Sequence, residues 1–232
     1  MLGIIGAMDV EVDKLKENLK NVQVTTKANM DFYKGEFDGK EVVIVRSGIG
    51  KVNAGICAQI LVDIFGVSAI INTGIAGSLK NEINIGDIVV STDALQHDVD
   101  ATNLGYELGF IPQMKVMSFE ADTKLMALAK ECCNEVLPEI GVFEGRVVSG
   151  DQFIADKAKK DSISNTFHGF CTEMEGAAIA QTAYLNEIPF VIIRAISDKA
   201  DDSASMDYPT FEAMAVENSV KLLSQIIRKA NY

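Results

Sequence analysis

The 232-residue sequence reads as one domain over residues 1–232, a three-layer α/β/α sandwich on a central mixed β-sheet. Three observations predict this. Apolar runs at 2–6, 67–72 and 189–197 have the unbroken hydrophobicity of strands covered on both faces. Segments of helical periodicity separate most of the strand-like runs. The section 22–47 instead holds three β-rich runs in succession, with Asp38-Gly39 as a hairpin turn, so the sheet must include antiparallel pairs.

In chain order, a strand at 2–6 leads through Met8, Asp9 and Glu11 into a helix whose apolar stripe is Val12, Leu15 and Leu19. Runs at 22–27, 31–37 and 41–47 are the antiparallel strands, and Ser47-Gly48-Ile49-Gly50-Lys51 opens a helix at about 52–65. The strand at 67–72 ends in Asn72-Thr73-Gly74-Ile75-Ala76-Gly77, which reads as a loop that lets backbone approach a ligand. A strand at 86–91 precedes 97–120, the longest stretch without periodicity; a loop of that length serves function or covers a partner subunit. A helix at 122–137, a strand at 142–149, a helix at 156–166, a short strand at 169–171 and an alanine-rich helix at 176–187 follow. The strand at 189–197 and a terminal helix from Pro209, with Phe211, Met214, Leu222 and Ile226 on one side, close the fold.

Composition narrows the function. A 48% apolar content supports one large core, and the net charge of −12 with no basic cluster beyond Lys157-Ala158-Lys159-Lys160 argues against nucleic acid and anionic membranes as partners. Cys57, Cys132, Cys133 and Cys171 lack CxxC spacing and read as reduced thiols of a cytoplasmic protein. Met1–Gly6 lacks the basic start of a signal peptide, and no apolar run approaches membrane-spanning length.

The chemistry centres on carboxylates. Glu173 and Glu175 fall at a strand-to-helix junction, where open α/β sheets hold ligands; taken alone they read equally well as an ordinary acidic helix start. Glu11 lies in a first helical turn, where the dipole is expected to lower its pKa and keep it ionised as a general base, or else it is a plain surface glutamate. Asp198 ends a hydrophobic strand, the place of a catalytic acid or of a turn cap. Two histidines in the chain, with His97-Asp98-Val99-Asp100 the sole mixed-ligand group, give poor support for a metal, and neither has an evident nucleophile partner. Gly48-Ile49-Gly50-Lys51-Val52 lacks P-loop spacing, and no GxGxxG follows the first strand, so no nucleotide cofactor is expected.

Six stretches carry a family resemblance: Gly3-Ile4-Ile5-Gly6-Ala7-Met8 with Glu11, Ser47–Ala54, Ile71–Gly77, Val148–Ile154, Glu173-Met174-Glu175, and Arg194-Ala195-Ile196-Ser197-Asp198. In this order and spacing, over nearly the whole chain, they resemble the bacterial 5′-methylthioadenosine/S-adenosylhomocysteine nucleosidases of the nucleoside phosphorylase superfamily. The resemblance implies a nucleoside phosphorylase-like fold and hydrolysis of the C1′–N9 bond, with release of adenine and a 5′-thioribose in methionine salvage and in removal of S-adenosylmethionine by-products. It assigns Asp198 as proton donor to N7, Glu175 to the ribose hydroxyls and Glu11 to the attacking water. Phe153 would stack on adenine, with Ile154 meeting its edge through backbone groups. Gly77 would lie close to the ligand, and Met174 would pack on the ribose beside Glu173 and Ser197. Met8, Ile49 and Tyr208 would line the 5′-thio side. Tyr106 and Pro112 match a loop that reaches the neighbouring subunit's pocket, which implies a homodimer. Ordinary core packing is the competing reading for the apolar residues among these.

Two departures stand out. Ile75 occupies a position where the family carries serine, and Leu104 replaces an aromatic residue in the long loop. The nearest alternative is a phosphorylase on the same fold, but Thr73 stands where such enzymes carry an arginine for phosphate, and no arginine precedes Arg46. Arg46 remains a candidate for phosphate, whereas Arg194 is expected to pair with a nearby carboxylate. A futalosine-type nucleosidase would differ in its 5′ substituent, and a non-catalytic nucleoside-binding module would need no Glu11.

Overall fold

A computed structural model describes residues 1–201 and 203–232. The chain runs β1 (Leu2–Gly6), α1 (Asp9–Glu17), β2 (Lys20–Lys27), β3 (Met30–Phe37), β4 (Lys40–Arg46), α2 (Lys51–Asp63), β5 (Ala69–Ser78) and β6 (Ile88–Gln96). After the long loop it continues β7 (Phe119–Glu120), α3 (Thr123–Val136), β8 (Val142–Ser149), α4 (Lys157–Phe167), β9 (Cys171–Glu173), α5 (Gly176–Leu185), β10 (Phe190–Asp198) and α6 (Ala204–Lys229).

The sheet is mixed. β1 lies parallel between β4 and β5, and the β2–β3–β4 meander is antiparallel. β5 pairs along most of its length with β10 on one side, and β10 pairs antiparallel with β6. Parallel pairings β6–β8 and β8–β9, and an antiparallel β9–β5 pairing, close these five strands into a ring.

One detail of this pairing positions the site. On the side of β5 away from β10, β1 pairs with Ala69–Asn72, and β9 pairs only with Gly77 and Ser78. Residues 73–76 therefore face a fork, with no strand among the described residues on that side. Backbone groups exposed at such a fork need partners.

Each sheet face buries its own core, because alternate strand residues point to opposite sides. Ile4 and Ile71 pack with α1, α3 and α6, whereas Ile5 and Ile70 pack with α2 and α5. The predicted three layers are thus present, and a smaller cluster beneath α4 joins Leu95, Val148 and Phe167.

Several boundaries differ from the sequence reading. The expected loop at 72–77 is strand: β5 runs on to Ser78 because β10 continues to pair with it, and its glycines serve close approach. The short strand lies at Cys171–Glu173 and so includes Glu173. α1 stops at Glu17, and Leu19 packs against the core from beyond the helix. α6 begins at Ala204, upstream of the expected start, and contains Pro209 at its sixth position, where the missing N–H leaves the Ser205 carbonyl without its i→i−4 donor. On α6 Leu222 and Ile226 are buried as expected, but Met214 is exposed; the inward face runs instead through Ala215, Val216 and Leu223.

At the β3–β4 hairpin, Asp38 and Gly39 both take positive φ, 47° and 82°. A Cβ at Gly39 would meet no atom, so strain alone penalises a side chain there. Gly39→Ala should lower stability by about 1 kcal/mol in a urea titration and leave turnover unchanged.

Candidate active site

A cavity of about 440 Å³ opens at the fork. Ala7, Met8 and Glu11 reach it from the end of β1 and the start of α1, and Ile75, Ala76 and Gly77 from β5. Thr172, Glu173, Met174 and Glu175 enter at the β9–α5 junction, and Arg194, Ser197 and Asp198 from β10; Ile49, Phe153 and Tyr208 complete the wall. A larger groove of about 680 Å³, between residues 113–115 and the end of α5, is lined by none of the predicted site residues.

Glu11 fills the gap in the sheet. Its Oε2 accepts the N–H groups of Ala7 at 2.7 Å and Met8 at 2.9 Å, and its Oε1 accepts the N–H of Ile75 at 3.2 Å. It thereby takes the place of a strand partner on β5 and splints β5 to β1. Its pKa is raised, contrary to the expectation from the helix dipole: burial outweighs the nearby Arg194 and the three N–H donors.

Glu173 and Glu175 are separated by role. Oε2 of Glu173 accepts the N–H groups of Glu175 at 3.1 Å and Gly176 at 2.7 Å and so caps α5, while its Oε1 accepts from the Ser149 hydroxyl. Glu173 also takes a charge-assisted bond from Arg194 Nη2, the pairing expected for that arginine. Glu175 Oε2 lies 3.7 Å from Arg194 Nη2, and its Oε1 accepts the N–H of Gly50 at 2.9 Å. Burial first, and then the charge of Glu173, push Glu175 up to about 7.

Arg194 is fully buried, and its Nη2 also donates to Asn72 Oδ1 at 2.6 Å. Burial opposes its charge, but Glu173, Glu175 and Glu11 more than offset that and raise its pKa. At the end of β10, Asp198 Oδ1 accepts the N–H of Ala200 at 2.8 Å and Oδ2 accepts the Ser197 hydroxyl at 2.9 Å. Burial raises the pKa of Asp198 despite these two donors. Gly77 permits this arrangement, since a Cβ there would stand 2.7 Å from Asp198 Oδ1 and 2.8 Å from Ala200 Cβ.

The remaining wall is apolar. The Phe153 and Tyr208 rings meet edge to face at 5.8 Å, and the Tyr208 hydroxyl donates to Glu212 at 3.0 Å, with Met8 Sδ 3.4 Å away. Phe153 is exposed.

Eleven of the fourteen residues predicted from the sequence line the cavity: Glu11, Glu175, Asp198, Gly77, Phe153, Met174, Glu173, Met8, Ile49, Tyr208 and Ser197. The Ile154 side chain packs instead with Val148, Ile163 and Phe167. Tyr106 stacks on Phe110 at 5.7 Å, and neither it nor Pro112 lines the cavity of its own chain. Arg46 pairs with Asp9 at 3.1 Å, outside the cavity, and Thr73 is buried with its hydroxyl unpartnered among the described residues. Sequence reasoning missed Thr172 and the splinting role of Glu11. The signal for Thr172 lay in a polar residue next to the two carboxylates at a strand end.

Comparison with known proteins agrees with this geometry. The family model described as Phosphorylase superfamily matches residues 1–228. A 5′-methylthioadenosine/S-adenosylhomocysteine nucleosidase of Staphylococcus carnosus is 42% identical over 229 residues, 98% of this chain and 99% of the relative. The crystal structure of the Neisseria meningitidis nucleosidase of that name, in complex with methylthio-immucillin-A, superposes with a TM-score of 0.94 at 38% identity, covering 99% of each chain. The futalosine hydrolase of Helicobacter pylori superposes with a TM-score of 0.93 at 33% identity, covering 99% of this chain and 97% of that one. The chain belongs to the phosphorylase superfamily and, within it, to the 5′-methylthioadenosine/S-adenosylhomocysteine nucleosidases.

The raised pKa of Glu175 has a stability signature. With an ordinary value of 4.5 in the unfolded chain and about 7 in the folded one, its contribution is fully present below pH 4.5 and is lost as pH rises through 7. Glu175→Gln removes that loss, on the order of 3 kcal/mol. Calorimetry should find the variant several degrees more stable than the parent above pH 7, with the advantage shrinking toward pH 4.5.

Proposed function

We propose that the chain hydrolyses the N-glycosidic bond of 5′-methylthioadenosine and S-adenosylhomocysteine, and also of 5′-deoxyadenosine, releasing adenine. The observation that carries this reading is that Glu11, Glu175 and Asp198, from three distant segments, line one cavity whose single arginine is already engaged by carboxylates. The relatives' names give the substrate class.

The chemistry follows from the placement of each group. Adenine leaves poorly as an anion, so N7 must gain a proton as the bond breaks. Asp198, with its raised pKa, keeps a proton to higher pH than a free aspartic acid and donates it. Positive charge then builds on the ribose as an oxocarbenium ion. Glu175, fixed by the Gly50 N–H, binds the ribose hydroxyls and sets its negative charge beside that cation, an effect worth roughly 3–4 kcal/mol. Glu11 receives two N–H groups on Oε2 and one on Oε1, so Oε1 keeps room to accept from a water; burial makes it a stronger base toward that water. Acid and base on opposite sides of the sugar follow the logic of inverting glycosidases.

Adenine stacks on Phe153 and meets the backbone near Ile154, while Met8, Ile49, Met174 and Tyr208 enclose the 5′-thio group. Hydrolysis is favoured over phosphorolysis because Arg194 is the sole lining cation among the described residues and its charge is spent on Glu173 and Glu175. No cofactor enters this scheme.

The chain acts as one domain and as a homodimer, with Tyr106 and Pro112 completing the partner's 5′ pocket. Support comes from exposed apolar residues Val52 and Ile56 on α2 and Leu185 on α5, two helices that pack against each other. The cytoplasm is its location: the four cysteines are buried and unpaired, and no described helix is long and apolar enough to cross a membrane. There it serves methionine salvage and clears S-adenosylmethionine by-products.

Two measurements test the mechanism. Asp198→Asn should cut kcat by roughly 10²–10⁴-fold while the affinity for a non-hydrolysable analogue changes only a few-fold; parent-like adenine release would remove Asp198 as the acid. With methylthioadenosine, the parent should release free 5′-methylthioribose at a rate indifferent to phosphate. A phosphate requirement and a sugar 1-phosphate product would mark a phosphorylase.

A further inference from the structure

Two motifs remain outside this mechanism, the Gly50-Lys51 start of α2 and the His97-Asp98 segment after β6. In the fold they meet. Lys51 Nζ donates to Asp98 Oδ1 at 2.6 Å and to Gln96 Oε1 at 2.9 Å. Asp98 Oδ2 accepts the N–H of Asp151 at 3.0 Å, and Asp151 Oδ1 accepts the N–H of Lys51 at 2.8 Å. Three side chains from the loops after β4, β6 and β8 thus form a closed hydrogen-bonded ring.

We propose that Lys51, Asp98 and Asp151 form a clamp that positions the ribose carboxylate and the adenine platform relative to each other, and that Lys51 and Asp98 are positioning residues for the reaction.

The ring has two outputs. The peptide that places the Lys51 N–H on Asp151 also adjoins Gly50, whose own N–H holds Glu175 Oε1 at 2.9 Å. Phe153 lies two residues beyond Asp151 and lines the cavity. The β6–β8 pairing fixes the strands beneath two of these loops, and past their ends the ring ties both to the start of α2. The Lys51 and Asp98 side chains are only 17% and 16% exposed, so solvent screens this pair less than a surface ion pair. Burial pushes the Asp98 carboxyl up, but Lys51 and the Asp151 N–H pull it further down, so its pKa lies below the ordinary value. His97 supports the same loop from below, because a Cβ on Gly150 would stand 2.5 Å from its Nε2.

The kinetic part of the test rests on the nucleosidase reading; the exchange part does not. Lys51→Met should lower kcat/KM for methylthioadenosine by about 10–100-fold, the scale of loss from misplacing reacting groups by an ångström. Lys51→Arg, which keeps a cation within reach of Asp98, should restore most of it. Asp98→Ala should cause a similar loss, and the Lys51→Met/Asp98→Ala double variant should be no worse than either single one, because both break one ring. Amide hydrogen exchange on the ligand-free protein should show faster exchange at Gly50 and Asp151 in both variants, with the α3 and α6 amides unchanged. A Lys51→Met enzyme within twofold of the parent, additive losses, or unchanged exchange at those two amides would overturn the clamp. Should Lys51→Met not fold, Asp98→Asn gives the same readings, since it removes the charge and keeps the shape. If the parent itself releases no adenine, the nucleosidase reading fails, and the exchange result still decides the clamp.

Discussion

The buried guanidinium of Arg194 is the constraint around which the site is built. Glu173 and Glu175 at the β9–α5 junction and Glu11 on α1 converge on it, and each would be costly to bury as an isolated charge. One cation cannot neutralise three anions, and the outcome is unequal. Glu173, bonded directly to Arg194 and capping α5, takes the largest share of that charge. Glu175, farther away, shares the remainder and titrates near neutrality. A core designed only for stability would hold apolar residues here, so the arrangement is retained for its chemistry.

The sheet supplies the space for that chemistry. Where β1 leaves β5 and β9 has yet to join it, β5 lacks a described strand on the side away from β10, and Glu11 supplies the missing acceptor. A carboxylate held by the backbone at β1 and β5 cannot leave the cavity without breaking those hydrogen bonds. This is the general rule of open α/β sheets, that ligands bind where strand order changes, expressed in three N–H contacts.

Much of this was legible in the sequence. Continuous apolar runs marked β1 and β10, and Asp38-Gly39 marked the β3–β4 turn, because in each case a local pattern has one physical solution. Asp198 was readable as the polar end of an apolar strand. Other features depend on contacts between distant residues. The glycines of 72–77 look like a loop until β10 is seen to pair with them, and the pKa of Glu11 followed its burial in the fork, not its place in a helical turn. Arg194 could be expected to find a carboxylate, but its position at the centre of three could not be read from spacing. Ile154, aligned with a binding motif, turns its side chain into the cluster beneath α4, as apolar residues tend to do.

The ring of β5, β9, β8, β6 and β10 also determines where this protein is open to other chains. Strands within a closed hoop offer no free row of amides, so among the described long strands the unpaired border falls on β2, which bonds only to β3. Val22 and Val24 are exposed on that border, and Lys20 and Lys27 stand at its two ends. Flanking ammonium groups of this kind repel a second copy approaching edge to edge. Protection against fibrous growth is therefore concentrated in one eight-residue strand at the far margin of the sheet from the cavity, and it is electrostatic, so it weakens as salt rises.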